Sequence, residues 1–337
     1  MLRLTNPDSH STRGGTLLVA SAGGHLTQLH QLLPRLKGLP APSTWVTFDT
    51  PQARSVLAGE NVVFARYTAP RDVTAVLANG HLAAKMLASG RYDAVVSTGS
   101  AVALSFLPLA AAAGISTHYI ESATRVLGPS TTGRLLAKVP GINLYTQHPG
   151  WADRNWKHVG GVFDGYTAAL TSPRPIRKVV VTLGTMRTYE FRRLLERMVA
   201  ILPADIEVLW QTGCTDTDGL PIKGRLGVPA AELEQAMRDA DVVVTHAGTG
   251  SALAALAAGK VPILVPRSAE RGEHVDSHQQ QTGTELARRG LAVSVDADDL
   301  GASHLITVAS LRAERVEDPP AIELTGLRPR IVTAEVA

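Results

Sequence analysis

The sequence has little cysteine and few aromatic residues, and both shortages restrict what it can be. Cys214 is the one cysteine among 337 residues, so an internal disulfide framework and a multi-cysteine metal site are excluded, and a reducing compartment is expected. Aromatic residues make up 4% of the chain, and its lysines and arginines are scattered rather than clustered. This composition argues against nucleic acid as a partner.

Long apolar runs are also missing. The longest, residues 102–115, is interrupted by Ser105, Pro108 and Gly114, and it falls short of the roughly 18 residues that a membrane span needs. The first 15 residues are polar and rich in glycine, so we expect a frayed N-terminal tail and no secretory signal. A cytoplasmic protein is expected, with peripheral attachment to the inner face of the cell membrane as an open alternative.

Charge is distributed unevenly along a chain of ordinary globular composition, in which 45% of residues are hydrophobic and 19% are charged. Residues 1–172 contain 14 Lys and Arg against 8 Asp and Glu, a net of +6, whereas the remainder contains 19 against 22, a net of −3. A basic first half suggests an anionic acceptor or a membrane surface. Drift of composition on a solvated surface explains it equally well. The sequence does not indicate an oligomeric state.

Short β-branched runs alternate with helix-like segments throughout the chain. In the first half, strand-like runs at 16–20, 44–48, 62–67, 94–97 and 117–120 separate helix-like segments at 26–37, 51–58, 72–89, 101–113 and 124–138. The pattern restarts at 178–183 and continues to 291–295, followed by a helix-like segment at 305–314. This alternation predicts an α/β fold with two Rossmann-like, doubly wound domains facing each other across a cleft.

The breaks in the pattern predict the domain boundaries. We expect a tail at 1–15, a first domain at 16–170, a second at 171–310 and a C-terminal tail at 311–337. The glycines and prolines between residues 160 and 177 mark a hinge. Whether the C-terminal tail returns to the first domain or is disordered stays open.

The segment 242–266 carries the strongest local signal, because it reads as a strand, a polar turn, a helix and a second strand. His246, Gly248, Thr249, Gly250 and Ser251 fall in the turn. Glycine permits a close backbone approach, and the free N–H groups at a helix start suit an anion such as a diphosphate. A turn that uses these residues for geometry alone is the alternative.

Further polar clusters follow other predicted strands. They are Gly23, Gly24 and His25; Glu121, Ser122 and Arg125; Gly184 and Thr185; and Asp276, His278, Gln279 and Gln280. In open parallel sheets, ligands bind beyond the carboxyl ends of the strands. Two such domains would therefore bring these clusters to one cleft.

These motifs, in this order, resemble those of GT-B glycosyltransferases. The runs are Ser-Ala-Gly-Gly-His at 21–25, Glu-Ser-Ala-Thr-Arg at 121–125, Val-Thr-Leu-Gly-Thr at 181–185, His-Ala-Gly-Thr-Gly-Ser at 246–251 and the polar run 276–280. The chain is similar to the lipid II-forming N-acetylglucosaminyltransferase. It also resembles a fusion of the acceptor and donor subunits of the enzyme that forms lipid-linked chitobiose, and bacterial polysaccharide glucuronosyltransferases share the motifs.

The resemblance implies inverting transfer from a nucleotide diphosphate sugar to a hydroxyl group, with no metal and no cofactor beyond the nucleotide sugar. The donor would be UDP-linked, such as UDP-N-acetylglucosamine or UDP-glucuronic acid, and the acceptor would be lipid-linked, a polysaccharide or a natural product. The departure is at Ser251, which is followed by alanine and leucine where the family often has a ribose-binding glutamate.

The resemblance also implies roles for the motif residues. His25 would be the general base, with Glu121 as a second base, as the residue that orients His25, or as an ion-pair partner of Arg125. The donor would be bound by Gly184, Thr185, His246, Gly248, Thr249, Gly250, Ser251, Asp276, His278, Gln279 and Gln280. The acceptor side would comprise Gly23, Gly24, Ser122 and Arg125.

Several weaker readings stay open. Asp49 and Asp72 could act as bases or as helix caps, and Asp216 and Asp218 have the spacing of a metal-binding pair but lie in a segment that reads as a surface loop. A UDP-sugar 2-epimerase of the same architecture and a non-catalytic nucleotide-sugar-binding subunit are the rival functions. A nicotinamide-dependent oxidoreductase is disfavoured, because the turn at 21–25 lacks the third glycine of the dinucleotide fingerprint.

Overall fold

Strands and helices alternate in the first half of the chain. A computed structural model describes residues 14–68, 72–172, 174–184 and 188–327. The elements of the first half are β1 (Gly15–Ala20), α1 (Gly24–Leu32), β2 (Leu36–Lys37), β3 (Ser43–Phe48), α2 (Pro51–Val56), β4 (Val62–Ala65), α3 (Val73–Leu87), β5 (Tyr92–Gly99), α4 (Val102–Ala112), β6 (Ser116–Ile120), α5 (Thr131–Leu136), β7 (Ile142–Thr146), β8 (Trp156–His158) and β9 (Tyr166–Leu170).

The second half repeats the alternation. Its elements are β10 (Lys178–Thr182), α6 (Arg192–Ile201), β11 (Glu207–Gln211), β12 (Gly224–Arg225), α7 (Ala230–Asp239), β13 (Val242–His246), α8 (Thr249–Ala257), β14 (Ile263–Val265), α9 (His278–Arg288), β15 (Val293–Ser294), α10 (Ala302–Ala309), β16 (Leu311–Arg315) and β17 (Ile322–Glu323).

The two halves form two parallel sheets. Over the described ranges, the first sheet has seven strands in the order β4-β3-β1-β5-β6-β7-β8, and the second has six in the order β12-β11-β10-β13-β14-β15. All neighbouring strands within each of these sheets are parallel. The predicted α/β class with two doubly wound domains is confirmed, and it places the carboxyl ends of β1, β5 and β6 opposite those of β10, β13 and β14.

An apolar cluster continues from one domain into the other. In α1, Leu26, Leu29 and Leu32 recur at helical spacing, and all three are fully buried. They belong to the same cluster as Leu253 and Leu256 of α8. Each Å² of buried apolar area contributes about 25 cal/mol of stabilising free energy. Packed side chains therefore hold the two domains together next to the cleft.

Residues 311–327 leave the second domain and return to the first. Strand β16 pairs antiparallel with β9, and β17 pairs in parallel with β2. Beyond β17, the backbone N–H of Thr325 donates to the Tyr145 hydroxyl at 2.9 Å. That hydroxyl also bonds Nδ1 of the buried His118 at 3.1 Å, so the returning segment is anchored in the core of the first domain.

Three helix predictions are wrong in part. The predicted helix at 26–37 ends as an α-helix at Leu32, and its last two residues form β2. The predicted helix at 305–314 ends at Ala309, and β16 takes its place from Leu311, because these residues complete a strand pair with β9. The predicted helix at 124–138 is reduced to Thr131–Leu136, because residues 121–130 form a loop held by the side chain of Glu121. Strands β2, β7, β8, β9, β12, β16 and β17 were not predicted.

The helices of the described ranges are short. The longest helix in the described ranges, α3, has 15 residues. Nowhere in those ranges does a helix combine the length and apolarity that crossing a bilayer requires.

Asp164 links the two domains close to the predicted hinge. Its carboxylate accepts from the backbone N–H of Gly161 at 2.6 Å and pairs with Arg289, at the end of α9, at 2.5 Å. Arg35 of the first domain lies 3.8 Å from the same carboxylate and donates to the Gly161 carbonyl at 2.6 Å. One carboxylate thus lies between a guanidinium from each domain.

We expect Asp164→Asn to lower the free energy of unfolding by about 1–3 kcal/mol, because it leaves Arg35 and Arg289 facing each other without a counter-charge. Urea unfolding of the full chain measures the change. Asp49→Asn is the matched control, since Asp49 pairs with Arg54 on the open surface and its loss should not change stability measurably. Equal effects of the two changes would contradict a linking role for Asp164.

Candidate active site

The first turns of α1 and α8 touch across the domain interface. A Cβ atom added to Gly250 would lie 3.4 Å from Cα of Gly24, and one added to Gly24 would lie 3.5 Å from the backbone nitrogen of Gly250. Gly23 precedes α1 with φ of 87°, a conformation that favours glycine. Both distances are ordinary van der Waals contacts, so the N-terminal ends of the two helices pack directly against each other.

Helix α8 begins without a side-chain cap. Gly248 is its N-cap residue and supplies no capping side chain. The hydroxyl oxygen of Thr249 is buried and has no hydrogen-bond partner among the described residues. Backbone N–H groups at a helix start carry a partial positive charge, so the start of α8 can accept an anion.

His246 occupies the space between two of the predicted donor residues. A Cβ on Gly184 would lie 2.6 Å from Cε1 of its ring, and one on Gly248 would collide with Nε2. Burial, followed by the nearby charge of Arg267, lowers the pKa of His246 to about 3. The imidazole is therefore neutral at pH 7, and glycine at 184 and 248 makes room for it.

His25 is the second residue of α1, and its backbone and ring are fixed by Thr98 at the end of β5. Its Nδ1 lies 2.8 Å from the Thr98 carbonyl oxygen, and the Thr98 hydroxyl donates to the His25 carbonyl at 2.8 Å. A carbonyl can only accept, so Nδ1 carries the proton and Nε2 carries the lone pair. Burial lowers the pKa of His25, and the charges of Arg125 and His278 lower it further.

The loop that follows β6 is tied to α1 by buried polar side chains. Gln28 donates to the Ser122 hydroxyl at 3.0 Å, and its Oε1 accepts from the backbone of Ala123 at 2.8 Å. Gln147 donates to the same Oε1 at 3.0 Å and to the Glu121 carbonyl at 3.0 Å. Ser122 is therefore engaged in holding this loop against the helix that carries His25.

Glu121 has a different set of partners from those considered in the sequence. Its carboxylate accepts from the backbone and hydroxyl of Ser130, both at 2.9 Å, from the backbone of Ser122 at 3.0 Å and from the Tyr119 hydroxyl at 3.1 Å. Burial raises its pKa, and these donors oppose the rise. It forms neither the ion pair with Arg125 nor a hydrogen bond to His25, and its contacts hold the loop 121–130 closed.

Arg125 pairs instead with Asp276 of the second domain, at 3.4 Å. The other oxygen of Asp276 accepts from Nδ1 of His278. Burial raises the pKa of Asp276, but the charge and hydrogen bonds of His278 outweigh it and the pKa is lowered. The structure thus brings Arg125, Asp276 and His278 together near His25.

His274 adds a third possible ligand beside Asp276 and His278. Ligand atoms of the three residues lie within 4.8 Å of one another. Two imidazoles and a carboxylate suit a divalent transition metal, so this is the group in the described ranges that could hold one. The requirement for no metal stays a prediction.

The two glutamines of the polar run occupy different environments. Gln279 is buried, and its Oε1 accepts from the backbone N–H of Arg267 at 3.0 Å, so it shapes the wall of the site. Gln280 Oε1 is buried without a partner in the described part of the chain. Arg267 is a residue that the motif analysis missed, because a lone arginine after a strand has no recognisable spacing.

The remaining predicted residues are placed as follows. Asp72 caps α3 by accepting from Ala75 at 3.0 Å, and Asp49 pairs with Arg54. Asp216 and Asp218 lie exposed in a loop, where the Asp218 backbone donates to the Asp216 carboxylate at 2.9 Å. Ser251 is half-buried in the first turn of α8. Thr185 lies outside the described residues.

A separate cavity lies at the opposite edge of the second sheet. It has a volume of about 350 Å³ and is lined by residues that include Lys178, Glu207 and Asp239. Lys178 and Glu207 are the first residues of β10 and β11. Ligands of parallel sheets bind at the carboxyl ends of the strands, so this cavity is not the candidate site.

The second half of the chain matches a known protein family. Residues 178–309 match the model of the glycosyltransferase family 28 C-terminal domain. A curated relative, UDP-N-acetylglucosamine transferase subunit ALG13 of Yarrowia lipolytica, is 44% identical over 71 residues, which are 21% of this chain and 34% of the relative. The matched part thus spans about a third of that relative.

Solved structures resemble the chain over both domains. MurG of Acinetobacter baumannii has a TM-score of 0.55 and 17% identity, over 87% of this chain and 89% of its own. The glycosyltransferase of kitacinnamycin has a TM-score of 0.54 and 17% identity, over 88% of this chain and 89% of its own. At these identities the likeness shows the fold. The chain therefore has the GT-B fold, and the part of it that matches the glycosyltransferase family 28 C-terminal domain is residues 178–309.

Proposed function

We propose that the protein is an inverting glycosyltransferase that moves a sugar from a nucleotide diphosphate sugar, most simply UDP-linked, to an acceptor hydroxyl without a metal ion. The observation that carries the proposal is the contact between the first turns of α1 and α8 at Gly24 and Gly250. It places a neutral imidazole from the first domain beside an uncapped helix start from the second.

His25 is suited to accept the proton of the attacking hydroxyl. With Nδ1 donating to Thr98, the lone pair of Nε2 is free of partners in the described ranges, and the lowered pKa keeps the ring neutral at pH 7. The acceptor oxygen then bonds to the anomeric carbon while the bond from that carbon to the diphosphate breaks. Attack from the side opposite the leaving group inverts the anomeric configuration.

The start of α8 is suited to hold the leaving diphosphate. Its free backbone N–H groups and the Thr249 hydroxyl are donors that are fixed before the reaction begins. Ala252 and Leu253 are fully buried in the cluster shared by the two domains, so no ribose ligand can stand directly after Ser251. The ribose contact must come from another element, which leaves the nucleotide as the first property to test.

The acceptor is proposed to enter along the first domain. Tyr67, Val73 and Leu77 are about two-thirds exposed around the start of α3. The segment before that helix is fixed to it, because the backbone N–H of Arg66 donates to Oδ1 of Asn79 at 2.9 Å. Exposed apolar side chains in the half of the chain with a net charge of +6 suit a lipid-linked, anionic acceptor at the inner face of a membrane. Polysaccharide and natural-product acceptors remain candidates for the acceptor screen.

We expect UDP to stabilise the full chain against heat more than dTDP, GDP, ADP or NAD, and to do so equally with magnesium and with EDTA. Binding to the native state alone at about 100 times the Kd adds roughly 2.7 kcal/mol of stability, which thermal-shift measurements detect. Stronger stabilisation by dTDP or GDP would mean that the donor carries that nucleotide instead of UDP, and the proposed diphosphate site would stand. Stabilisation by NAD alone, or by none, would refute the proposed function. Loss of the UDP effect in EDTA would refute metal independence.

We expect His25→Ala to lower kcat by about 10²- to 10⁴-fold, the usual contribution of a positioned general base. The Kd for UDP should stay unchanged, because His25 belongs to the acceptor side. Transfer is measured with the UDP-sugar that the nucleotide screen selects, and nucleotide release without acceptor is measured in parallel. Full transfer activity in the variant would show that another residue is the base.

We expect Glu121→Gln to lower the free energy of unfolding by about 1–3 kcal/mol, because an amide would present N–H groups to donors that now meet a carboxylate. Any loss of turnover should follow the loss of folded protein. If turnover were abolished while the melting temperature stayed unchanged, Glu121 and not His25 would be the base.

A further inference from the structure

Arg267 is buried with most of its hydrogen-bonding capacity unused. It follows β14, and its side chain is 1% exposed. Nη2 donates to the Leu183 carbonyl at 3.0 Å, whereas Nε and Nη1 have no partner among the described residues. Its guanidinium forms no ion pair within those ranges. Glu273, the carboxylate that influences it, is bonded to Arg193 at 3.0 Å and to the backbone of Ser268 at 2.8 Å.

A buried charge without a counter-charge is expensive to keep. Burial lowers the pKa of Arg267 to about 10, and the nearby Glu273 carboxylate opposes this only in part, so the side chain still carries its charge at neutral pH. The ring of Phe191 lies 5.5 Å from Cζ and supplies a cation–π contact. The face of the ring does not accept hydrogen bonds from the N–H groups on Nε and Nη1, which lie in the plane of the guanidinium. The contact therefore leaves these donors without hydrogen-bond partners among the described residues.

Arg267 lies beside residues of the candidate site. The Leu183 carbonyl that it contacts directly precedes Gly184, and its charge lowers the pKa of His246, whose ring lies against Gly184 and Gly248. The Thr249 hydroxyl at the start of α8 is also buried and unpartnered. Unsatisfied donors from two elements thus stand at the carboxyl ends of neighbouring strands.

We propose that the diphosphate of the donor is the counter-charge of Arg267. This inference rests on the proposed function and adds a residue to it. When the bond between the anomeric carbon and the diphosphate oxygen breaks, its electron pair stays on that oxygen, so the diphosphate gains negative charge as the hydroxyl proton passes to His25. A fixed positive charge then favours the departing group over the intact donor, as a metal ion does in other sites.

The chain contains a matched control for Arg267. The Arg193 guanidinium lies 5.8 Å from the same Phe191 ring, but it is paired with Glu273 and Asp298, at 3.0 and 3.1 Å. Both arginines therefore pack against one aromatic side chain, but among the described residues only Arg193 forms ion pairs with carboxylates. Comparing Arg267→Met with Arg193→Met separates a charge kept for a ligand from a charge kept for the fold.

The test uses the full chain, with isothermal titration of UDP, uridine and inorganic diphosphate and with melting temperatures measured without ligand. For Arg267→Met we expect UDP affinity to fall about 10- to 100-fold, in keeping with a charge-assisted contact. Inorganic diphosphate binding should fall as well, while uridine affinity stays unchanged. The melting temperature should stay equal or rise, because an unpaired buried charge is removed. For Arg193→Met we expect a lower melting temperature and unchanged UDP affinity.

Two results would overturn the inference. One is UDP affinity in Arg267→Met equal to that of the wild type. The other is a fall in melting temperature as large as that of Arg193→Met, with uridine and UDP weakened equally, since this would make Arg267 a structural residue. If the wild-type chain bound none of the nucleotides, the proposed function would fail and the inference with it. If the wild type and Arg267→Met both bound UDP tightly, the inference alone would fail and the proposed function would stand.

Discussion

Two helices that start in different domains touch at their first turns, and both turns present the positive ends of their dipoles to the same point. The partial positive charges of the two helix ends repel each other, and a bound anion would reduce this repulsion. It is held in place by the apolar cluster that joins Leu26 and Leu29 of α1 to Leu253 and Leu256 of α8. Hydrophobic burial next to the contact therefore offsets the repulsion between the two positive helix ends.

Buried polar side chains set the other wall of the site. Gln28, Gln147 and Glu121 each satisfy several partners, so the loop after β6 is fixed relative to α1. In such a network, each group is satisfied only when the others are in place. Arg125, in the same loop, forms an ion pair with Asp276 of the second domain. The fixed loop of the first domain therefore also contacts the second domain.

The sequence was sufficient for the fold class, since short apolar runs that alternate with helical segments have few other solutions. It was also sufficient to identify the turns at 21–25 and 246–251, where glycine spacing is a local property. It was insufficient where tertiary pairing overrides propensity: residues 311–315 form β16 because β9 supplies a partner strand. The partners of Glu121 come from Ser130 and Tyr119, which no spacing rule connects to it. Arg267 gave no signal either, because a sequence pattern does not show which donors of a buried side chain stay without a partner among the described residues.

The pairing of β9 with β16 changes how the second domain is connected to the first. Leu170, at the end of β9, lies opposite Leu311, at the start of β16, so the chain enters and leaves the second domain at adjacent points. The family match covers residues 178–309 and falls wholly between these two strands. In topological terms, the second domain is an insertion closed by a two-stranded ribbon that belongs to neither parallel sheet. Replacing this segment by that of a relative would place both junctions at one point in the structure, and the new segment would have to keep the apolar contact between α8 and α1.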